Sequence, residues 1–277
     1  MSYPFFFKYQ QAGNDFVILD DRAVLFPLNS SFISRICHRK FGIGADGLIL
    51  LQNSNKNDFR MRIFNSDGNE AESCGNGICC LAKFIKDQNL KFDEKVTLEL
   101  TDSTANIIYR ENDILVQMDK PSDFKFNQTI SIDKVDLTYH FMNTGVPHFV
   151  SFIEDVKKVD LKQIGNRIRN HDNFMPSGTN VNFAELKKNQ EIAVRTYERG
   201  IEGETLACGT GACAVALIAS FIYNLPSPIK ICHPGGKLTV HFERSQTDFK
   251  NVSIVGRAEK IYSGQLIMNN NDGETIC

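Results

Sequence analysis

The chain has 277 residues, 42% of them apolar, with 31 basic against 33 acidic side chains and a net charge of −2. That length exceeds one ordinary domain and predicts two, of roughly 130 residues each. The balanced charge, without a long basic stretch, excludes a nucleic-acid groove as a partner surface.

The opening MSYPFFFKYQQ lacks the charged n-region and the long apolar core of a signal peptide. The longest apolar run, Ala212 to Tyr223, falls well short of the roughly 20 residues that cross a bilayer. No membrane partner is expected, and the run reads as a buried helix. Cysteines stand at 37, 74, 79, 80, 208, 213, 232 and 277, with no CxxC pair and no Cys/His spacing of the zinc type. No metal site is expected, and a chain of this size needs no disulfide staples. Free thiols in a reducing, cytoplasmic setting are the economical reading.

In chain order, GNDFV (13–17) is followed by ADGLILL (45–51), a strand candidate, and MRIFN (61–65). SCGNGICCLAKFI (73–85) then places Cys74 ahead of Gly75 and Gly77 and opens into an apolar helix. KVTLELT (95–101), ANIIYR (105–110) and ILVQMD (114–119) are rich in β-branched and aromatic residues, with DS and EN as turn punctuation, and read as strands. MDKPSDFKFN (118–127), with Pro121, interrupts them and marks a domain boundary. Beyond it GVPHFV (145–150), TNVNFAE (179–185) and VRTYE (194–198) answer the earlier blocks. ACGTGACAVALI (207–218) answers the cysteine motif, and KLTVHFE (237–243) and NVSIVGRAEKIYSG (251–264) add strands.

Laying Cys74 on Cys208 brings Gly75 onto Gly209, Gly77 onto Gly211, Cys79 onto Cys213 and Ala82 onto Ala216. Four blocks in one order, about half a chain apart, indicate a duplicated domain. The expected fold class is α+β: two pseudosymmetric halves, each a mixed β-sheet wrapped around one central α-helix.

A helix N-terminus presents unpaired N–H groups and a partial positive charge, which bind carboxylates and lower thiol pKa values. Glycines at 75, 77, 209 and 211 would let that backbone approach a ligand without a Cβ in the way. If a pseudo-twofold axis relates the halves, both helices point at one shared cleft, with Cys74 facing Cys208 across a ligand. Two acid/base groups on opposite faces of one carbon are what racemisation at an amino-acid α-carbon requires, with N–H groups stabilising the developing charge. The bland alternative, a cysteine as a small core residue, is the reading given to Cys37, Cys232 and Cys277, and to Cys79, Cys80 and Cys213 inside their helices. Duplication and flanking glycines set Cys74 and Cys208 apart.

FNSDGNEAESCGNG together with YERGIEGETLACGTGACA resembles the diaminopimelate epimerase family of two-cysteine enzymes, and AGNDFVILD, FGIGADGLIL, TGVPHFV and GTNVNF match further blocks in order. The resemblance covers essentially the whole chain. It implies a barrel-like sheet in each half and no cofactor, with Cys74 and Cys208 as the acid/base pair. It further implies that Asn14, Asn65, Asn180 and Arg199 hold the distal amino and carboxylate groups of the substrate. Gly75, Asn76, Gly209 and Thr210 would cradle the reacting carboxylate, while His148 and Glu198 lie beside the cysteines and influence their proton affinity, Glu198 also touching substrate. Because the last residues of family members return to the first domain, the expected domains are 1–118 plus 265–277, carrying Cys74, and 119–264, carrying Cys208. A homodimer is expected as well.

Three positions depart from common family choices: Val146 stands where Asn is frequent, Gly47 where some members have a substrate-contacting Gln, and Cys79 where Arg is common. The first two remove polar handles and predict relaxed specificity. The leading expectation is interconversion of LL- and meso-diaminopimelate, which feeds lysine and peptidoglycan synthesis. A racemase of glutamate or a proline derivative on the same fold is the runner-up. A thiol-disulfide redox protein is disfavoured, because redox pairs usually lie close along the chain. A non-catalytic amino-acid binder would need only the glycines and amides, not two matched thiols.

Overall fold

A computed structural model of the chain describes residues 4–71, 74–91, 93–110, 113–246 and 248–266. It forms two compact units, Met1–Val116 with the segment from Arg257 onward, and Gln117–Gly256.

In the first unit the strands are β1 (Phe5–Gln11), β2 (Asn14–Asp20), β3 (Gly47–Gln52), β4 (Phe59–Asn65), β5 (Glu70–Ala71), β6 (Lys95–Glu99), β7 (Thr104–Arg110) and β8 (Asp113–Gln117). Two helices accompany them, α1 (Ser30–Cys37) and α2 (Gly75–Asp87). β1 and β2 pair antiparallel, β2 and β3 parallel with Phe16 opposite Gly47, and β3 and β4 antiparallel. A parallel β4–β6 pair and antiparallel β6–β7 and β7–β8 pairs continue the sheet. α2 lies in its concave side, with Ile78, Leu81, Phe84 and Ile85 packed among Ile49, Met61, Ile63 and Val96.

β3 is buried along its whole length, which requires cover on both faces. Ile49 and Leu51 face α2, whereas Leu48 and Leu50 face Phe32, Ile33 and Ile36 of α1. The sequence reading did not include α1. Asn29 starts it by accepting from the N–H groups of Ser31 and Phe32.

The second unit repeats this plan with β9 (Ser122–Ile132), β10 (Val135–Asn143), β11 (Pro147–Phe152), β12 (Asn180–Leu186), β13 (Ile192–Glu198), β14 (Gly203–Thr205), β15 (Ile229–His233), β16 (Gly236–Ser245) and β17 (Asp248–Gly256). Its helices are α3 (Leu161–Arg169) and α4 (Gly209–Tyr223). β11 and β12 pair parallel with His148 opposite Asn180, β12 and β13 antiparallel, β13 and β15 parallel. This is the order of pairings of the first unit, strand for strand. α4 is apolar on every side, as a helix enclosed by a sheet must be. Ala212 through Ala219 are fully buried against β10–β13 and β15–β17. α3, capped by Asp160, covers the opposite face of the sheet, and it too was not expected.

Two expectations need correction. Residues 251–264 do not all belong to the second half: the strand ends at Gly256, and after Arg257 β18 (Ala258–Gln265) joins the first unit, antiparallel to β1 from Phe5 opposite Gln265 to Gln11 opposite Ala258. The return therefore begins at 257 rather than 265; the tail 267–277, Cys277 included, lies outside the described residues. Cys232 is not a core residue either. It is half-buried in β15, and its thiol donates to Glu191 at 3.5 Å. Cys37, Cys79, Cys80 and Cys213 are buried core side chains. No helix among the described residues is long and apolar enough to cross a membrane.

Candidate active site

Cys74 is the N-cap residue of α2, in extended conformation, and its side chain makes no capping bond. The sulfur lies 3.7 Å from Asn14 Oδ1 as donor. The same oxygen accepts from Asn76 Nδ2 at 3.3 Å. The β1–β2 turn thereby brings Asn14 to the mouth of α2, and Asn76 sits buried on the first helical turn. Asn65 ends β4 opposite Gly47 and is exposed; its backbone carbonyl and N–H close the turn to Gly68 and Asn69.

In the second unit Cys208 stands at the same place on α4, again without a capping bond. Glu198, the last residue of β13, is hydrogen-bonded to the Cys208 thiol and accepts from Thr205 Oγ1 at 2.5 Å. Burial raises the Glu198 carboxyl above its usual range. Burial also pushes the Cys208 thiol well up, reinforced by the Glu198 charge and opposed by the Thr210 hydroxyl, 3.5 Å away, and the Gly211 N–H. The expected lowering by the helix terminus is thus overridden. A dry site beside a carboxylate holds the proton on sulfur more strongly than one turn of backbone dipole releases it.

His148 is fully buried, and burial together with the Arg199 charge pushes it down to about 3, so the ring is neutral. Its Nδ1 lies 3.1 Å from Asn182 Nδ2. That amide nitrogen also donates to the Phe149 carbonyl at 2.8 Å, while its oxygen accepts from Thr196 Oγ1 at 3.0 Å. The amide orientation is therefore fixed, Nδ1 of His148 accepts, and the ring hydrogen resides on Nε2. This Nε2 is buried without a partner among the described residues. Asn180 accepts the Arg199 N–H at 2.8 Å, and the Arg199 guanidinium donates to the Ser177 carbonyl at 2.7 Å. Thr210 is tied down through its carbonyl, which accepts from Thr144 Oγ1 at 2.8 Å.

The four glycines divide into two kinds. A Cβ on Gly75 would meet nothing within 4 Å, and one on Gly209 only Ile254 Cδ1 at 3.2 Å. On Gly77 it would press on Ile63, Met61 and Ile49 at 3.0–3.3 Å, and on Gly211 it would lie 2.6 Å from Asn182 Oδ1. Gly75 alone stands at an open helix mouth; Gly209 is crowded by one flexible side-chain end, and the second glycine of each motif serves internal packing. Gly47 is also a packing requirement, since a Cβ there would stand 2.5 Å from the Phe64 carbonyl. A glutamine could not be accommodated without moving β4, so Gly47 is not a polar handle removed from an otherwise unchanged site.

Sequence reasoning missed Asn182, Thr196, Thr205 and Asp46. Asn182 carried a signal: it alternates with Asn180 on an otherwise apolar strand, and a polar side chain there must find buried partners.

A family model described as diaminopimelate epimerase matches residues 6–123 and 140–261. The diaminopimelate epimerase of Flavobacterium psychrophilum is 40% identical over 259 residues, covering 92% of this chain and 97% of its own. Among solved structures, a phenazine biosynthesis protein of the PhzF family from Bacillus anthracis superposes with a TM-score of 0.75 at 16% identity, over 97% of this chain and 100% of its own. A probable proline racemase from Agrobacterium radiobacter K84, with bound carbonate, gives 0.69 at 15% identity, over 98% and 94%. At such identities these two speak for the fold alone.

Proposed function

The chain belongs to the diaminopimelate epimerase family and is an isomerase of that class, and from that premise we propose that Cys74 and Cys208 are its two acid/base groups. The reaction is interconversion of LL- and meso-diaminopimelate. One cysteine, as thiolate, takes the α-proton, and the bond electrons stay on the α-carbon and its carboxylate. The other, as thiol, delivers its proton to the opposite face of that carbon. A turnover thus exchanges the protonation states of the two sulfurs and consumes nothing else. The observation that carries this reading is the paired placement: an N-cap cysteine without a side-chain capping bond ahead of each enclosed helix, followed in both by a glycine.

Under the same reading the N–H groups of Gly75, Asn76, Gly209 and Thr210 receive the reacting carboxylate and stabilise the charge that develops there. Glu198 accepts the Cys208 proton when that sulfur becomes the base. The Nε2–H of His148, buried and unpartnered, supplies a neutral donor at the site. Asn14, Asn65, Asn180 and Arg199 take the distal ammonium and carboxylate. No cofactor enters the reading. Specificity is relaxed only as far as Val146 replaces an amide.

A cytoplasmic location and a homodimer complete the proposal. The second copy is assigned to the β1–β18 ribbon, where Phe5, Ile261 and Tyr262 are exposed apolar side chains. The test is incubation of Cys74→Ala and Cys208→Ala with LL-diaminopimelate in deuterated water, reading stereochemistry and mass. Loss of epimerisation in both is expected, and full turnover by either overturns the two-base reading.

A further inference from the structure

Behind Asn14 the first unit holds a charge network with no counterpart in the reaction just described. Lys8, 3% exposed, pairs with Asp15 at 2.8 Å and donates to the Gly44 carbonyl. Arg39 grips Asp15 with both terminal nitrogens, at 3.0 and 2.7 Å, and reaches Asp46 Oδ1 at 2.7 Å. Burial works to raise the Asp15 carboxyl, yet Arg39 and Lys8 together hold it far below the usual range. Asp46 is fastened to this network by its backbone as well, its N–H donating to the Asp15 carbonyl at 2.9 Å. Its second oxygen, Oδ2, accepts from Asn14 Nδ2 at 2.9 Å and from the Asp15 N–H at 3.2 Å.

We propose that Asp46 is a positioning residue for Cys74, locking the Asn14 amide with its oxygen toward the sulfur. An amide can flip by exchanging its oxygen and nitrogen, and only its partners decide which end points where. A carboxylate cannot donate, so Asp46 accepts only the NH₂ end and leaves Oδ1 for Cys74 and Asn76. An oxygen facing the sulfur accepts S–H and disfavours thiolate; an NH₂ facing it would favour thiolate. The carboxylate two bonds removed thus sets how readily Cys74 gives up its proton. This rests on the proposed role of Cys74 for its consequence, though not for its geometry.

The test uses Asp46→Asn, a substitution of the same shape that can donate or accept and so releases the amide. The rate of Cys74 alkylation by iodoacetamide, followed by peptide mass mapping, is measured against pH in the full-length protein. The midpoint is expected to fall by about one pH unit, a tenfold change in thiolate fraction, and the kcat of epimerisation to fall with it. Other titratable groups lie near this sulfur: the Cys79 and Cys80 thiols on its own helix, held neutral by burial, and the paired charges of Asp46, Arg39, Asp15 and Lys8 behind Asn14. The substitution is therefore repeated in an Asn14→Ala background. A shift carried through the amide vanishes there, whereas an equal shift in both backgrounds overturns the proposal.

Arg39→Gln provides a comparison independent of the Asn14→Ala fold. It leaves the Asp46 carboxylate in place, so the midpoint should stay, and a rise would point to direct charge effects and overturn the locking role. No shift in Asp46→Asn also overturns it. Alkylation reports on Cys74 whether or not that residue is a base, so failure of the two-base reading, seen in Cys74→Ala turnover, is scored separately.

Discussion

Replacing Gly211 by alanine adds one methyl group where the second unit has least room for it. The new Cβ would lie 2.6 Å from Asn182 Oδ1 and 3.3 Å from the Cβ and Sγ of Cys208. Asn182 is fully buried and cannot turn away without breaking bonds to Phe149, His148 and Thr196. Overpacking a core costs ~1–3 kcal/mol, and stranding one buried polar partner adds ~1–3 kcal/mol. Alanine returns ~1 kcal/mol as a better helix former. The net expectation is a loss of ~3 kcal/mol, or a fall of roughly 10 °C in the unfolding midpoint for a unit of this size. Thermal unfolding followed by circular dichroism checks the size, and kcat checks whether His148 has lost its fixed tautomer. A midpoint within about 2 °C of the parent protein, at unchanged kcat, would refute the idea that Asn182 is immovable.

Gly75→Ala should do the opposite: with nothing within 4 Å of the added Cβ, stability holds or rises slightly, but KM for diaminopimelate rises because the methyl group occupies the helix mouth. An unaltered KM would remove the carboxylate from that position. A third expectation concerns acid. His233 is buried with both ring nitrogens unpartnered among the described residues, and burial pushes it down to about 4. The unfolded chain takes up this proton near pH 6.5 and the folded one only near 4, so stability is full above 6.5 and drains as pH falls between those values. His233→Leu should therefore lose about 2 kcal/mol less than the parent between pH 7 and pH 5 in urea unfolding; parallel losses in both proteins would count against it.

Much of this molecule was legible because duplication prints the same signal twice. The two CGxG motifs, and blocks such as ADGLILL and TNVNFAE, fell on corresponding strands and helices of the two units. What escaped was whatever lacks a period. α1 and α3 are short and polar on their outer sides, and only the double-sided burial of β3 betrayed the need for α1. Residues 251–264 read as strand-forming sequence of the second half because no proline separates β17 from β18; pairing with β1, a long-range event, gives the later part to the first unit. Within the site, residue types pointed to acid/base chemistry, but not to the environment of each group. That Cys208 should hold its proton tightly follows from its enclosure with Glu198, and that Gly211 and Gly47 answer to packing follows from neighbours far away in sequence.

The return of β18 to β1 also sets an order of events during synthesis. All strands of the second unit from β9 to β17 lie within one continuous stretch, so that unit can close as soon as its last strand leaves the ribosome. The first unit, although translated earlier, waits with the β18 side of β1 uncovered until residues 258–265 emerge. At ~5–20 residues per second that wait lasts on the order of ten to thirty seconds, during which an open sheet edge invites foreign strands. The half that is made first is thus the half that is finished last, and a nascent chain emerged only as far as Gly256 would carry a completed second unit beside an unsealed first one.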